Sequence, residues 1–328
     1  MATTRPETGG MDDLAASFDK IRVNIERVIE GKSEVIRLAL IALLAEGHLL
    51  IEDVPGVGKT MLAKALARSI DCSVRRIQFT PDLLPSDVTG VSVYHQERGD
   101  FEFKPGAIFA NIVLGDEINR ASPKTQAALL ESMEERQVTV DGVTYHLGVP
   151  FMVIATQNPI EHEGTYPLPE AQRDRFMLEL AIGYPTRQAE IEILETHGRT
   201  ATLLADLEPV ADAPTVAEMI ESCRTVHVAD TLKRYIVDLV RATRDHADLA
   251  LGASPRAALS LLRAARAAAA TSGRDYVVPD DVKELVTPVI AHRLITAPEA
   301  QMIGRTAADV LADIVEYVPI PIRGKGQT

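Results

Sequence analysis

The run His48-Leu-Leu-Ile-Glu-Asp-Val-Pro-Gly-Val-Gly-Lys-Thr60 limits the possible folds more than any other stretch. Its apolar start reads as a strand and its middle as a turn rich in Gly and Pro. The turn closes on Lys59 and Thr60, after which Leu62, Ala63, Leu66, Ala67 and Ile70 recur on one face of a helix. Strand, glycine turn, Lys-Thr and helix, in that order, form the setting of a phosphate-binding P-loop. Gly56 and Gly58 let the backbone bend around an anion, so that N–H groups and the positive end of the helix meet its charge. Lys59 is placed to reach the β and γ phosphates and the Thr60 hydroxyl to bind Mg²⁺. Candidate nucleotide contacts along the turn are Pro55, Gly56, Val57, Gly58, Lys59, Thr60 and Met61. One departure stands out: Asp53 holds the place where the pattern begins with Gly.

Asn111-Ile-Val-Leu-Gly-Asp-Glu117 is the second informative stretch. A continuous apolar run of this length is a strand buried on both faces. Ligands of parallel sheets bind at the carboxyl ends of the strands, which puts Asp116 and Glu117 beside the P-loop. Asp116 is then a Mg²⁺ ligand alongside Thr60, and Glu117 the group that orients and polarises the attacking water. A further apolar strand at 151–156 ends in Gln157-Asn158-Pro159 at the same edge. Asn158 reads either as a contact to the γ-phosphate or water, or as a plain Asn-Pro turn.

The rest of the chain is consistent with an α/β core and a helical remainder. Leu14, Phe18, Ile21, Ile25, Val28 and Ile29 predict a helix, and residues 35–44, apolar almost all round, a buried one. A second strand is expected at 74–79 and a fifth at 176–180. Alternation around Glu97-Arg-Gly-Asp100 and around Asp141-Gly142 predicts two β-hairpins. Ser122-Pro123 opens a helix running to about residue 135. Glu161-His-Glu163 reads as a solvated loop, since adjacent ligands without a partner cluster make a poor metal site. Arg173 and Arg175 stand at the end of a short helix and gain a role only if a neighbouring subunit brings a nucleotide close. Beyond Tyr184-Pro185 helical spacing dominates, with helices around 232–243 and 258–265, the latter opened by Ser254-Pro255. Others follow at 282–290, with Pro288 inside, and 306–317, and no strand is evident. The expected division is a tail at 1–10, a core at 11–184 with hairpin inserts at about 91–103 and 137–147, and a linker and lid at 185–328.

Bulk properties exclude several classes. With 34 Lys and Arg against 47 Asp and Glu the chain carries a formal charge of −13, which argues against a surface coated for nucleic acid or anionic membrane. Cys72 and Cys223 are isolated and fit a reducing cytoplasm. The amino terminus lacks the apolar centre of a signal peptide. The most apolar stretch, 35–51, is interrupted by Arg37, Glu46, Gly47 and His48, so no membrane span is expected.

Taken together these segments resemble the MoxR family of AAA+ ATPases. The most specific run is Gly115-Asp-Glu-Ile-Asn-Arg-Ala-Ser-Pro-Lys-Thr-Gln126, continued by Glu131-Ser-Met-Glu-Glu-Arg-Gln-Val-Thr-Val-Asp-Gly142. Ala155-Thr-Gln-Asn-Pro159, Thr165-Tyr-Pro-Leu-Pro-Glu-Ala-Gln172 and Gly252-Ala-Ser-Pro-Arg256 support it. The resemblance implies a P-loop NTPase core, an αβα sandwich around a parallel sheet, followed by a smaller all-α lid. It implies ATP and Mg²⁺ as cofactors, with Walker A at 54–60 and Walker B ending at Asp116-Glu117. Asn158 then corresponds to sensor 1, Arg175 to an arginine finger aimed at the next subunit's ATP, and Arg256 to sensor 2. Val28, Ile29 and Gly31 resemble the segment bordering adenine, although Lys32 stands where the family often has Gln. In relatives with the same insert, the sensor-2 arginine serves either its own site or a neighbour's. The implied assembly is a ring, a hexamer by resemblance, acting in the cytoplasm. The implied task is a chaperone-like assembly, activation or cofactor insertion on an unidentified client, with a von Willebrand factor A domain protein as partner. A magnesium-chelatase-type subunit, a nucleic-acid motor and a small-molecule P-loop kinase are the rival readings.

Overall fold

Strands that read as continuous apolar runs divide their side chains between two layers. Leu49 and Ile51, Ile112 and Leu114, and Met152 and Ile154 enter one buried cluster. Leu50, Val113, Val153 and Ala155 enter another. This period-two split is what a parallel sheet covered on both faces requires. The computed structural model describes residues 9–54, 56–158, 165–188, 190–191, 194 and 204–320. Residues 1–8 of the tail expected at 1–10, with Pro55, Pro159 and Glu161-His-Glu163, fall outside the described residues, and residues 9 and 10 open the first helix instead of extending a tail.

The core runs α1 (Gly9–Glu26), α2 (Ser33–Leu44), β1 (Leu49–Glu52), α3 (Lys59–Ser69), β2 (Val74–Gln78) and α4 (Pro85–Thr89). It continues with β3 (Gly90–His95), β4 (Asp100–Pro105), β5 (Ile112–Asp116), α5 (Pro123–Glu135), β6 (Gln137–Val140) and β7 (Val143–His146). β8 (Met152–Gln157), α6 (Glu170–Arg173) and β9 (Leu178–Leu180) complete it. Five strands form one sheet in the order β2-β5-β8-β1-β9, every described pairing in it parallel. The P-loop strand β1 therefore lies directly beside β9. Both expected hairpins form, β3 on β4 and β6 on β7. They brace each other through Phe103 and Tyr145, whose rings stack with centroids 3.9 Å apart. Ser122 caps α5 by accepting from the Thr125 N–H, with Pro123 in the first turn.

Carboxyl-terminal to the sheet come α7 (Ala213–Thr225), α8 (Asp230–Arg244), β10 (Leu249–Leu251), α9 (Pro255–Thr271) and α10 (Pro279–Ile290). β11 (Ile295–Thr296), α11 (Pro298–Met302) and α12 (Ala307–Tyr317) follow. This is the expected helical lid, with one short antiparallel pair, β10 on β11, that the sequence did not reveal. The helix α7 was also missed, although Asp212 caps it and Val216, Met219, Ile220 and Cys223 line its buried face. The lid does not have a core of its own. α9 packs on α1 and α2, and its buried alanines belong to the same cluster as one face of the sheet.

Candidate functional site

At the carboxyl edge of the sheet the P-loop turns from β1 into α3. Gly56 and Gly58 sit at φ 86° and 99°, where any Cβ is strained, and Gly58 precedes the first turn of α3. Lys59 and Thr60 open that helix. The Lys59 ammonium donates to the Asp53 carbonyl oxygen at 2.7 Å, so it already points back over the turn. β5 ends at the same edge, two strands away. Asp116 is 9% exposed, and one of its oxygens accepts from the Thr156 hydroxyl of β8 at 2.6 Å. The other accepts from the Arg76 guanidinium at 2.6 Å. Glu117 follows in the left-handed region, φ 57° and ψ 51°, unusual for a residue with a side chain. Its N–H donates to Thr156 Oγ1 at 2.9 Å, and its carboxylate accepts from Gln78 at 2.8 Å and pairs with Arg120 at 3.2 Å. Asn158, 8% exposed, follows the end of β8 at the same edge. The structure thus brings together Gly56, Gly58, Lys59, Thr60, Asp116, Glu117 and Asn158. A hydroxyl and a carboxylate are oxygen donors of the kind Mg²⁺ selects, so the residue types present fit that ion.

Arg76, Gln78 and Thr156 were not singled out from the sequence. Arg76 and Gln78 alternate on one face of β2, and the register Gln78 opposite Asp116 turns them toward the carboxylates. Only the strand order makes that visible.

Two departures from the family pattern converge on one segment. The Asp53 carboxylate accepts from the Gly183 N–H at 2.6 Å and from its neighbour Val54 at 2.8 Å. The Lys32 ammonium donates to the carbonyls of Ile182 and Tyr184 at 2.5 and 2.9 Å. Residues 182–184 are the exit from β9 toward the lid. The candidate adenine segment is near the same place, with Val28 and Ile29 buried and Gly31 at φ 71°. Asp53 and Lys32 thus tie the P-loop and the adenine border to the lid connection.

Arg175 and Arg256 lie elsewhere. They line a cavity of about 400 Å³ together with Gly47, His48 and Met177. Those three residues precede β1 and β9, so the cavity opens at the amino edge of the sheet. β1, four residues long, separates it from the subunit's own P-loop, roughly 13 Å by the usual rise per residue. Arg175 pairs with one oxygen of Glu134 at 3.2 Å, and Arg256 hydrogen-bonds the other. Five arginines, Arg136, Arg175, Arg224, Arg256 and Arg263, line the cavity against two carboxylates, Glu46 and Glu134. Burial pushes the Glu46 carboxyl up, and its bonds and charge attraction to Arg136 and Arg224 outweigh this and hold it low. Arg173 behaves differently. It pairs with Glu179 of β9 at 3.0 Å and does not line the cavity.

The floor of this cavity is neutral. His48 accepts from the Val153 N–H at Nδ1, 3.0 Å, and lies 3.1 Å from the Met133 carbonyl at Nε2, which requires the Nε2–H tautomer. Complete burial pushes its pKa down to about 4. Among the described residues no group of three or more His, Cys, Asp or Glu could hold a metal, and no helix is long and apolar enough to cross a membrane.

Known proteins are similar to this chain over most of its length. A family model described as ATPase family associated with various cellular activities matches residues 48–178, and an AAA lid domain matches 241–314. The chain is 49% identical to the uncharacterized protein YeaC of Bacillus subtilis, over 95% of this chain and 97% of that one. It is 42% identical to the chaperone MoxR1 of Mycobacterium tuberculosis, over 95% and 85%. Protein MoxR of Paracoccus denitrificans is 32% identical over 95% and 98%. A solved structure from Cytophaga hutchinsonii, described as a candidate ATPase, superposes with a TM-score of 0.88 at 38% identity, covering 95% of this chain and 97% of that one. A nucleotide-binding core of the AAA type, a helical lid and full-length similarity to MoxR proteins lead to one conclusion: the chain belongs to the MoxR family of AAA+ ATPases.

Proposed function

We propose that this protein is a Mg²⁺-dependent ATP phosphohydrolase whose working pocket is built from two subunits of a ring, six by family resemblance. The observation that carries this reading is the separation of the two halves. The phosphate-binding turn and the acidic pair lie at one edge of the sheet, and the arginine-lined cavity lies at the other. A subunit cannot fold its own Arg175 or Arg256 over the strand that divides them, but the next subunit in a ring can present both.

In such a pocket the backbone of 56–60 and Lys59 would cradle the phosphates. Thr60 and Asp116 would hold Mg²⁺, which would supply positive charge against the phosphates. Glu117 would orient the attacking water, with Asn158 fixing the water or the γ-phosphate. The neighbour's Arg175 would meet the charge that develops on the phosphoryl group, with Arg256 beside it. Val28, Ile29 and Gly31 would border the adenine, and Pro55, Val57 and Met61 complete the turn. Turnover would move the lid relative to the core and drive a chaperone-like task in the cytoplasm. The relative named chaperone MoxR1 supports a chaperone-like task; assembly, activation or cofactor insertion on a client, with a von Willebrand factor A domain protein as partner, is what the family resemblance implies.

Mixing tests the shared pocket. Arg175→Ala subunits keep a complete P-loop, and Glu117→Gln subunits keep a complete finger. Each alone is expected to be nearly inactive, and together they should regain ATP turnover. An inactive mixture that still assembles would end the two-subunit reading.

A further inference from the structure

Arg293 is among the most buried charges in the molecule, at 5% exposed, and nothing in the nucleotide pocket uses it. It lies in the short turn after α10, in the lid, and reaches into the core. Its guanidinium donates to the Phe176 carbonyl at 2.6 Å and to Ser260 Oγ of α9 at 3.2 Å, and lies 3.4 Å from the Asp174 carboxylate. Its neighbour His292 approaches the same Phe176 carbonyl at 3.2 Å. From α9 the Ser254 hydroxyl stands at the helix start, yet it donates to Asp174 at 2.9 and 3.1 Å and makes no cap. Lid groups therefore hold the residue before Arg175 and the residue after it. Phe176 is fully buried, so the backbone on that side has little freedom. Arg175 itself points out into the cavity toward Glu134.

Burying a guanidinium is a poor way to join two domains, since apolar contacts do so at lower cost. What a guanidinium offers is a fork of directed bonds to several fixed points. Burial pushes the Arg293 pKa down to about 10, against the pull of Asp174, which leaves it charged at neutral pH. The points it joins are those that set the direction of one side chain. We infer that Arg293, with Ser254, is a positioning residue of the lid that aims Arg175 at the next subunit's triphosphate. The inference rests on the two-subunit pocket proposed above. It adds that the lid, whose connection to the core is held by Asp53 and Lys32 beside the subunit's own nucleotide, sets the aim of the finger offered to its neighbour.

The test uses full-length subunits mixed in pairs, with Glu117→Gln chains donating the finger and Arg175→Ala chains accepting it. Turnover of the acceptor is expected to rise at least about tenfold on mixing. Adding Arg293→Gln to the donor should remove most of that rise. Adding it to the acceptor, whose finger is already gone, should leave the rise within about twofold. Nucleotide affinity and ring size are measured on the same mixtures. A structural role would reduce the rise from either side. Equal losses in both positions, or no loss in either, overturn the inference. If Arg293→Gln chains fail to fold, Ser254→Ala decides by the same asymmetry, since it removes only the two bonds to Asp174. Absence of any rise with unaltered donors overturns the two-subunit pocket and this inference with it. A rise that ignores the Arg293 and Ser254 changes overturns the inference alone.

Discussion

The same strands end in two very different surfaces. At the carboxyl edge the working groups are turn backbone and short polar side chains held by turn geometry. Two glycines at positive φ, a helix start and a left-handed Glu117 fix where a phosphate and a water would sit. At the amino edge the working groups are long cationic side chains held by paired carboxylates, Glu134 for Arg175 and Arg256 and Glu46 for Arg136 and Arg224. The first surface suits tight binding, because its donors are already in place. The second suits switching, because a guanidinium on one shared carboxylate can exchange it for an incoming phosphate. Loss of an amino-edge arginine should therefore lower turnover and spare binding.

Four substitutions and a change of pH would break or sharpen that contrast. The largest effect is expected at the carboxyl edge, where Lys59→Ala should weaken ATP binding by about 100-fold or more, since it removes the only side-chain cation in the turn. Unchanged affinity in calorimetry would remove Lys59 from the site. Next is Arg175→Ala, which should leave affinity within about threefold while cutting turnover by about 100-fold or more. Arg173→Ala provides the control, since it strips Glu179 of its partner in β9 and should cost roughly 1–3 kcal/mol of stability with turnover largely kept. The reverse pattern would move the finger to Arg173.

Asp53→Gly restores the usual leading glycine and should hardly change affinity, because the phosphate-facing backbone remains. Losing the bond to Gly183 is expected to lower stability by about 1–2 kcal/mol in denaturant titration. A large loss of affinity would make Asp53 part of the phosphate cradle. Acid is a separate test, read on stability alone. Burial holds His48 and His292 at about 4 and about 3, below the ordinary histidine value of 6.5. The unfolded chain therefore binds more protons as pH falls, so stability is full above about 6.5 and declines toward 4. Between pH 7 and 5 each histidine should cost about 2 kcal/mol. A flat denaturation midpoint over that range would contradict the burial of both.

What the sequence made legible follows from the same contrast. The P-loop, the strand ending in Asp116-Glu117 and the hairpin turn at Asp141-Gly142 are encoded in neighbouring residues, through periodicity and glycine placement. The amino-edge site is encoded in distant ones. Glu134 meets Arg256 across 122 positions, and Arg293 meets Phe176 across 117. No local pattern announces such a pair, and a charge in a helical stretch reads as solvated face. Arg175 and Arg256 came only from the family motif, and their shared carboxylate and common cavity only from the fold. The strands β10 and β11, three and two residues long, are too short to carry alternation. Asp53 and Lys32 were visible as oddities, and their shared target at 182–184 gives them a reason.

The brevity of β9 has a consequence of its own. This ribbon is three residues long, lies at the rim of the sheet and, among the described residues, is laddered only to β1. Its far end is pinned by Asp53, its near end by the lid. Nothing so short can stretch or slip a register and survive, so a tug at one end must arrive at the other almost undiminished. In the shared pocket proposed above, the link between one triphosphate and the next would be a single tripeptide, roughly 10 Å of chain.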